Sequence, residues 1–269
     1  MSKVWFVTGA GSGFGREIAE AAAARGDAVF ATARDGASVA AFTHGCRLDV
    51  TDPEQVRQAV DAAMTEFGRI DVVVNNAGHG LLGAVEEVSD ADLRGLLDVN
   101  LLGAWRVTRA VLPHLRRQGT GHIVQLSSVG GVVGNPGHAA YATTKFALEG
   151  MSEALAGEVA GWGVRVTVVE PGPFRTDFAG RSIAAAEPLA AYADSPAGEL
   201  RRRFPLQHGR QPNDPVRAAA AILAVVDHPD PPLRLPLGPE SVDRIRAKLR
   251  TQLDEIDAWE ALAMDTRYA

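Results

Sequence analysis

The strongest constraint on the fold of this chain is a regular alternation of short apolar runs with longer Ala-, Glu- and Arg-rich stretches over residues 4–172. The apolar runs are rich in β-branched residues and predict buried strands, whereas the longer stretches have the caps and spacing of helices. Strands joined by helices in this order form a parallel sheet with helices on both faces. The predicted strands are residues 4–8, 28–33, 47–50, 72–75, 122–128 and 164–172, and the predicted helices are residues 14–26, 51–68, 89–118 and 139–160.

The connections between these strands also restrict their order in the sheet. Because parallel crossovers are almost always right-handed, the natural assembly is an α/β fold with a single Rossmann-type, doubly wound parallel sheet. No shift in composition marks a boundary, so we expect residues 1–269 to form one domain.

The pattern weakens after residue 172. Residues 173–212 are rich in Pro, Ala and Arg and lack a clear period, and we predict that this insertion covers a substrate, since long irregular segments in compact folds often form lids. Residues 214–228 predict a helix, residues 227–240 a proline-rich connection, and residues 241–259 an amphipathic helix.

The composition excludes several classes of protein. Net charge is −6, which disfavours binding to nucleic acid or to anionic membranes. The single cysteine, Cys46, cannot form an intrachain disulfide and is interpreted as a small core residue. His79, His114, His122 and His138 lack the spacing of metal ligands, so we expect no metal and surface or loop positions for these histidines. The sequence has neither a long apolar span nor a signal-peptide pattern, and we expect a cytoplasmic protein.

A glycine-rich segment, TGAGSGFG at residues 8–15, follows the first predicted strand and opens the first predicted helix. Glycines let the backbone approach a pyrophosphate closely, and the helix N-terminus offers unpaired N–H groups and a positive dipole end. A tight turn without a ligand would also use glycines, but the position in the first strand–helix–strand unit favours dinucleotide binding. Phe14 stands where a strict GxGxxG motif needs glycine, and the spacing fits TGxxxGxG instead.

With this turn, the sequence resembles the short-chain dehydrogenase/reductase superfamily from residue 4 to about residue 178. The motifs appear in the family's order and in the expected strand or helix contexts. They are TGAGSGFG at 8–15, LDV at 48–50, NNAG at 75–78, DVN at 98–100, LSS at 126–128, YATTK at 141–145 and PGPFRT at 171–176. The resemblance implies a Rossmann-type oxidoreductase that uses a nicotinamide cofactor.

The resemblance also implies four catalytic residues. Tyr141 would give a proton to a carbonyl oxygen in reduction and take it back in oxidation, and Ser128 would hydrogen-bond the substrate oxygen and the Tyr141 hydroxyl. Lys145 would hold the nicotinamide ribose, and Asn100 would hold a water that links Lys145 to solvent, unless it only pins a helix. Ser127 is the alternative to Ser128, although Ser128 has the family's separation of 13 residues from Tyr141.

Tyr141 and Lys145 are four residues apart on a predicted helix, so both side chains project from one face. A phenol with a pKa of about 10 transfers protons slowly near neutral pH. An ammonium group one turn away stabilises the phenolate, and we therefore predict that Lys145 lowers the pKa of Tyr141.

The end of the second predicted strand indicates which cofactor binds. Sites for the unphosphorylated cofactor place Asp or Glu there, but here neutral Ala33 is followed by Arg34. A guanidinium can hold a 2′-phosphate with two charge-assisted hydrogen bonds, which favours NADP(H) over NAD(H). Ser12 could add a third donor and Arg16 is a weaker candidate, whereas Asp35 would bind the ribose if the strand ended later.

The remaining cofactor residues follow from the matched motifs. By the resemblance Asp49 binds the adenine amino group, although it could simply be a turn residue at the end of a strand. The predicted cofactor residues are Gly9, Ser12, Gly13, Phe14, Gly15, Arg34, Asp49, Val50, Asn76, Ala77, Gly78, Tyr141, Lys145, Pro171, Gly172, Phe174 and Thr176.

The substrate itself is only loosely specified. Apolar side chains in the insertion suit a lipophilic or mid-sized carbonyl compound, although packing under a loop would use them too. The predicted substrate residues are Leu81, Ser128, Val129, Asn135, His138, Tyr141 and Phe178.

The third and fourth predicted helices carry more apolar residues than one sheet face needs. By the resemblance, the matching helices form a four-helix contact between subunits, and we expect a homodimer or homotetramer; burial within the monomer is the alternative. The residues concerned are Leu101, Leu102, Trp105, Leu148, Met151 and Leu155.

The sequence therefore predicts an NADP(H)-dependent oxidoreductase of the carbonyl reductase type. The alternatives are an NAD-dependent alcohol dehydrogenase, of the kind that acts on hydroxysteroids, working oxidatively, and a non-catalytic protein that senses NADP. Because related non-enzymatic proteins usually lose the Tyr or the Lys, retention of Asn100, Ser128, Tyr141 and Lys145 favours an enzyme.

Overall fold

The computed structural model describes residues 2–268. Strands β1 to β9 span Val4–Thr8, Ala28–Ala33, His44–Arg47, Val72–Asn75, Gly80–Leu82, Gly121–Leu126, Val164–Pro171, Ile183–Ala185 and Arg234–Leu237. Helices α1 to α8 span Gly13–Ala24, Pro53–Phe67, Asp90–Leu97, Ala104–Gln118, Ala139–Val159, Pro196–Arg203, Pro215–Asp227 and Pro239–Met264. Seven strands form a parallel sheet in the order β3-β2-β1-β4-β6-β7-β9, which confirms the doubly wound α/β fold.

The sheet is buried on both faces by separate apolar clusters. Trp5 and Phe6 are adjacent on β1 and fully buried, and because side chains alternate along a strand they enter different clusters. Trp5 lies with α1 and α7 on one face, and Phe6 lies with α2, α4 and α5 on the other. Burial on both faces explains why β1 and β4 read as continuous apolar runs.

Local signals set the ends of the well-predicted helices. The Asp52 carboxylate accepts hydrogen bonds from the backbone N–H groups of Glu54 and Gln55, and Pro53 occupies the first turn of α2. Gly68 ends that helix with φ 71°, a left-handed conformation that glycine adopts without strain. Predicted and observed bounds of α2 therefore differ by only one or two residues.

The bounds predicted for the third strand, residues 47–50, were wrong by three residues, because β3 spans His44–Arg47. In the described part of the chain this strand pairs with β2 alone, and it alternates half-buried with exposed residues, so its sequence contains no apolar run. Asp49 instead forms a turn, in which its carboxylate accepts from Thr51 N at 3.0 Å and Thr51 Oγ1 at 2.8 Å. Cys46 lies within β3 and is half-buried.

Three other elements differ from the prediction. Strand β9 lies inside the proline-rich connection at 227–240. Pro236 is tolerated there because β9 is an edge strand that, among the described strands, pairs with β7 alone. The predicted helix at 89–118 is interrupted by a π-helical segment, Asp98–Gly103. Helix α8 extends to Met264 instead of ending at residue 259.

The irregular insertion at 173–212 contains more structure than its sequence indicates. Strand β8 pairs in parallel with β5 in a second, two-stranded sheet, and α6 follows with Ser195 as its N-cap. Both elements are too short to produce a clear periodicity. No helix within residues 2–268 combines the length and apolar character needed to cross a membrane.

Candidate active site

A cleft of about 1070 Å³ opens at the carboxyl ends of the central strands. The order of the strands reverses between β1 and β4, and doubly wound sheets bind ligands in the crevice at such a point. Most of the residues predicted from sequence line this cleft. They are Gly9, Ser12, Gly13, Phe14, Arg34, Asp49, Val50, Asn76, Ala77, Gly78, Ser128, Val129, Asn135, His138, Tyr141, Lys145, Pro171, Gly172, Phe174, Thr176 and Phe178.

Three predicted site residues, Gly15, Leu81 and Asn100, are absent from the lining of the cleft. A Cβ at Gly15 would lie 2.4 Å from Asn76 Nδ2 and 2.5 Å from the Gly9 carbonyl oxygen, so this glycine permits close packing under the turn. Leu81 is 5% exposed and packs in a small apolar cluster with Leu96, Ala140 and Tyr141. It therefore contributes to the packing that holds the Tyr141 ring.

The glycine turn is fixed to β4 by Asn76. Asn76 Nδ2 donates to the carbonyl oxygens of Thr8 at 2.9 Å and Gly9 at 3.1 Å, and the backbone N–H of Asn76 donates to Thr8 Oγ1 at 3.0 Å. Gly9 and Gly13 have φ values of 65° and 55°, which L-residues with side chains rarely adopt. The turn therefore has a fixed shape before any ligand binds.

Ser128 and Tyr141 meet next to Gly130. Tyr141 is 8% exposed on the first turn of α5, and Ser128 follows the end of β6. A Cβ at Gly130 would lie 3.3 Å from Tyr141 Cε1 and 3.4 Å from Ser128 Oγ, so both side chains border the same small space. Ser127 also lines the cleft, but its hydroxyl lies beside Glu149: a Cβ at Gly131 would lie 2.5 Å from Ser127 Oγ and 3.1 Å from Glu149 Oε1.

Lys145 is buried one turn after Tyr141. Its ammonium group donates to the Leu126 carbonyl oxygen at 2.7 Å and lies 5.8 Å from the centre of the Tyr141 ring. Burial lowers the pKa of Lys145 to about 8, although the negative charge of Glu149 opposes this change. Two catalytic candidates thus share one face of α5, as the spacing predicted.

The pKa of Tyr141 differs in direction from the sequence-based expectation. Burial raises it to about 12, and the Ser128 hydroxyl only partly opposes this effect. A lowered pKa was expected from the neighbouring Lys145, but the net pKa of Tyr141 is raised, because loss of hydration of the phenolate is the largest contribution.

Asn100 is fully buried in the π-helical segment and connects two parts of the site. Its Oδ1 accepts from His79 N at 2.9 Å, and its Nδ2 donates to the His79 carbonyl oxygen at 2.9 Å and to Thr144 Oγ1 at 3.2 Å. The side chain therefore joins the loop after β4 to α5. Short π-helical segments of this kind often occur at functional sites.

The sequence did not indicate a group of charged residues next to Lys145, which consists of two buried glutamates and a partly exposed arginine. Glu149 and Glu170 are 6% and 1% exposed, and Arg234 on β9 lies 3.2 Å and 3.8 Å from their carboxylates. Burial raises the pKa of Glu149 and raises that of Glu170 to about 7. The i, i+4 series of Tyr141, Lys145 and Glu149 was the available signal, whereas the contribution of Arg234 depends on the tertiary fold.

Arg34 and Asp35 have different surroundings at the end of β2. The Asp35 carboxylate accepts from Ala37 N at 3.1 Å and so caps the short helix Gly36–Val39. Hydrogen bonds from Thr51 are the main cause that lowers the pKa of Asp49, and the positive charge of Arg34, which is exposed at the cleft, adds to this effect. Of the two charged residues at the end of β2, Arg34 is therefore the one that lines the cleft.

Aromatic rings from the insertion form the other end of the cleft. Phe178 lies 5.5 Å from Tyr141 between ring centres, and Phe204 lies 5.0 Å from His138. His138 is largely covered, burial lowers its pKa to about 4, and its buried Nε2 has no hydrogen-bond partner within residues 2–268.

Of the four histidines considered, His122 departs from the expected surface or loop positions. His122 is 4% exposed in β6, where its Nε2 lies 2.9 Å from Thr167 Oγ1, so it belongs to the core. His138 does lie in the loop before α5, but its ring is covered by aromatic neighbours.

Arg244 of α8 is another cleft residue that the sequence did not indicate. Its Nη2 donates to Asn135 Oδ1 at 2.7 Å, across 109 positions of sequence, so no local pattern could have identified this contact.

Glu87 holds the insertion against the body of the protein. Its side chain is fully buried, pairs with Arg201 of α6, and accepts backbone hydrogen bonds from Ala84 N at 2.7 Å and Leu189 N at 3.0 Å. Burial disfavours the ionised form, but the hydrogen bonds outweigh it and lower the pKa of Glu87 to about 2. This anchor positions the segment that carries Phe178 and Phe204.

Replacing Glu87 with glutamine is expected to loosen the insertion. The change leaves the Arg201 guanidinium buried without its counter-charge, which costs about 3 kcal/mol. We expect a lower melting temperature and faster tryptic cleavage within residues 188–203. The stabilisation by Glu87 should be complete above pH 4.5, the ordinary pKa, and disappear as the pH falls towards 2.

Glu86→Gln is the matched control for this experiment. Glu86 is the exposed neighbour of Glu87, and within residues 2–268 its side chain accepts a hydrogen bond from the Tyr192 hydroxyl alone, at 2.9 Å. Equal effects of the two variants on cleavage and melting would contradict the anchoring role.

The sequence as a whole matches known proteins over most of its length. The model of the family described as short chain dehydrogenase matches residues 3–187. Oxidoreductase BOA17 from Botryotinia fuckeliana is 43% identical over 254 residues, which cover 90% of this chain and 91% of that protein. A 3-ketodihydrosphingosine reductase from Bacteroides thetaiotaomicron is 35% identical over 240 residues, which cover 88% of each protein.

Solved structures agree with the sequence matches. A short-chain dehydrogenase from Streptomyces avermitilis superposes with a TM-score of 0.93 at 42% identity and covers 100% of both chains. A short-chain dehydrogenase/reductase from Burkholderia phymatum, in complex with NAD, has a TM-score of 0.81 at 26% identity and covers 95% of both chains. Motifs, fold and comparisons all lead to one conclusion: this chain belongs to the short-chain dehydrogenase family and is an oxidoreductase.

Proposed function

We propose that this protein reduces a ketone or an aldehyde to an alcohol with NADPH. The observation that carries the proposal is the grouping of Ser128, Tyr141 and Lys145 at the carboxyl end of the sheet, between the glycine turn and an aromatic pocket. A carbonyl carbon placed there can accept hydride from one side while its oxygen faces two hydroxyl groups.

The chain's own residues would handle the substrate oxygen and its proton. Ser128 donates a hydrogen bond that fixes and polarises the oxygen, and Tyr141 Oη gives up the proton that the new alcohol keeps. With a pKa of about 12, Tyr141 is neutral at neutral pH and therefore holds the proton that reduction requires. The Lys145 ammonium then stabilises the phenolate until Tyr141 is reprotonated.

The residues at the glycine turn fit a dinucleotide. Ser12 begins α1 without making a side-chain cap, so the first N–H groups of the helix are available to a phosphate. Among residues 2–268, a Cβ on Gly13 would meet Thr176 alone within 4 Å, at 3.6 Å, so the surface above the turn is open. A bound nicotinamide cofactor would supply the hydride.

Arg34 supports NADP(H) as that cofactor, and its replacement is the test. We expect Arg34→Asp to raise the KM for NADPH by about 30-fold or more, because two charge-assisted hydrogen bonds to the 2′-phosphate are lost. The KM for NADH should change little or fall. Initial rates with both cofactors over a range of concentrations measure the effect.

Arg16→Ala is the matched control. Arg16 is also exposed near the turn, but it pairs with Glu20 at 2.8 Å, and we expect less than about a threefold change in KM. A wild-type protein that prefers NADH would exclude the role proposed for Arg34.

The substrate end of the cleft favours a compound with an apolar or aromatic body. Phe178 and Phe204 supply apolar surface, and the unpartnered His138 Nε2 offers one hydrogen bond to a second polar group of the substrate. One of the relatives named above is a 3-ketodihydrosphingosine reductase, which is consistent with reduction of a ketone on a lipophilic molecule.

Monitoring NADPH oxidation with a panel of ketones and aldehydes of increasing size tests the proposal. We expect turnover to rise with apolar carbonyl compounds that fill the aromatic pocket. Faster NAD-linked oxidation of the matching alcohols would support an NAD-dependent dehydrogenase instead. Tight NADPH binding without turnover across the panel would support a cofactor-sensing protein.

We further propose that the chain acts as one cytoplasmic domain that assembles as a homodimer or homotetramer. Leu102 and Trp105 are 43% and 51% exposed on the outer side of the sheet-covering helices, and Phe146 of α5 is 45% exposed. Leu148 and Leu155, by contrast, are buried within the monomer and are not available for a subunit contact. An apolar face of this kind is typical of a contact between subunits.

A further inference from the structure

Helix α8 leaves the body of the protein halfway along its length. Ser241 and Ile245 are buried, but every residue from Leu249 to Met264 is exposed. At a rise of about 1.5 Å per residue, this free segment is about 24 Å long. An isolated helix of this length is only marginally stable in water, so its persistence calls for a partner.

The free segment carries an unpaired apolar stripe. Ile245, Leu249, Leu253 and Ile256 follow each other at intervals of four, four and three residues, so they lie on one face of the helix. Ile245 is the last of them to pack against the body, and the side chains beyond it are at least half exposed. The same face that binds the body therefore continues past it, followed by Trp259 at 66% exposure.

The charges of this helix are separated into two blocks. Arg246, Lys248 and Arg250 form a basic block, and the next charged residues form an acidic block without an intervening cation. The acidic block consists of Asp254, Glu255, Asp257 and Glu260. Within residues 2–268 the acidic block forms no salt bridge, and the only ion pair of the basic block is Arg246 with Asp243 at 3.5 Å.

This charge order opposes the dipole of the helix. A helix stabilises anions near its N-terminus and cations near its C-terminus, whereas the free half of α8 ends in anions. The arrangement is unfavourable for a solitary helix. It becomes favourable next to a second helix that runs in the opposite direction, with its basic block beside the acidic block.

We propose that α8 pairs antiparallel with α8 of a second copy of this chain. A two-fold axis across the free segments places stripe against stripe and each basic block against the partner's acidic block. A parallel pair would instead place like charges together. The acidic block also argues against an anionic membrane surface as the occupant, because such surfaces bind helices with a cationic polar face. This pairing is independent of the proposed function and of the face formed by α4 and α5.

Charge reversal in the full-length protein tests the pairing. One variant carries Arg246→Glu, Lys248→Glu and Arg250→Glu, and the other carries Asp254→Lys, Glu255→Lys, Asp257→Lys and Glu260→Lys. We expect each variant alone to sediment as an assembly with half the wild-type number of subunits. Its association constant for this contact should be at least tenfold lower than that of the wild-type protein. An equimolar mixture should restore the wild-type mass, because the two variants are complementary.

Two further variants test the stripe and the direction. Leu253→Glu should weaken association, whereas Val216→Glu, at an apolar residue of similar exposure (57%) on α7, should not. Antiparallel helices keep the two copies of residue 249 apart, so Leu249→Cys should not cross-link to itself. A wild-type mass for both charge variants, or efficient cross-linking at residue 249, would overturn the proposal. Neither result would bear on the proposed carbonyl reduction, which does not depend on the pairing of α8.

Discussion

Replacing Tyr141 with phenylalanine is expected to lower kcat for carbonyl reduction by about a thousandfold, within the range of general acid catalysis. The variant removes one oxygen atom from a ring that is 8% exposed and packed against Phe178, so the fold and the cofactor groove should remain intact. Single-turnover rates with saturating NADPH measure the loss, and fluorescence titration of NADPH checks that binding is retained.

Tyr192→Phe is the matched control for Tyr141. Tyr192 belongs to the insertion, and its hydroxyl donates to Glu86 Oε2 at the surface, at 2.9 Å, away from the Ser128 hydroxyl. We expect a change of less than about twofold in kcat, since surface polar contacts contribute little. Near-native turnover by Tyr141→Phe would exclude Tyr141 as the proton donor.

Replacing Lys145 with methionine is expected to have the second-largest effect, a decrease of about a thousandfold in kcat/KM. The apolar side chain fills a similar volume but removes the charge that stabilises the Tyr141 phenolate. It also leaves the Leu126 carbonyl oxygen without the donor that lies at 2.7 Å in the native protein. Steady-state kinetics should show a lower kcat together with a higher KM for NADPH if Lys145 also holds the nicotinamide ribose.

The pH profile separates this electrostatic role from simple loss of structure. Because the pKa of Lys145 is about 8, the ammonium form disappears as the pH rises above that value, and kcat/KM for reduction should fall. Glu149 and Glu170 also face this region, and Arg234 lies between them. The residual activity of Lys145→Met should lack the inflection near pH 8, whereas an unchanged profile would assign the inflection to another group.

The central strands and the helices between them could be predicted because their determinants are local. VWFVT and VVVN are buried on both faces and therefore read as apolar runs, and Asp52, Pro53 and Gly68 mark the ends of α2. Edge strands β3 and β9 lack that signal, since one is partly exposed and the other contains Pro236. Their existence depends on the neighbour to which each one binds.

The residues of the candidate site also divide into those whose proximity the sequence predicts and those that only the fold brings together. Tyr141 and Lys145 are joined by the geometry of one helix, so their proximity follows from their spacing. The contact of Glu87 with Arg201 spans 114 positions, and that of Arg244 with Asn135 spans 109 positions, so neither leaves a pattern in the sequence. The direction of the Tyr141 pKa was also missed, because burial depends on everything that packs around the ring.

The sequence by itself therefore determined the layered α/β fold, the glycine turn and the order of the motifs, since each of these depends on residues that are near one another along the chain. Only the tertiary structure decided the depth at which Tyr141 and Lys145 are buried, the anchoring of the insertion by Glu87, and the free, charge-divided end of α8. The physical reason is that burial and long-range ion pairs are properties of the assembled packing, in which hydration is lost and distant side chains first meet.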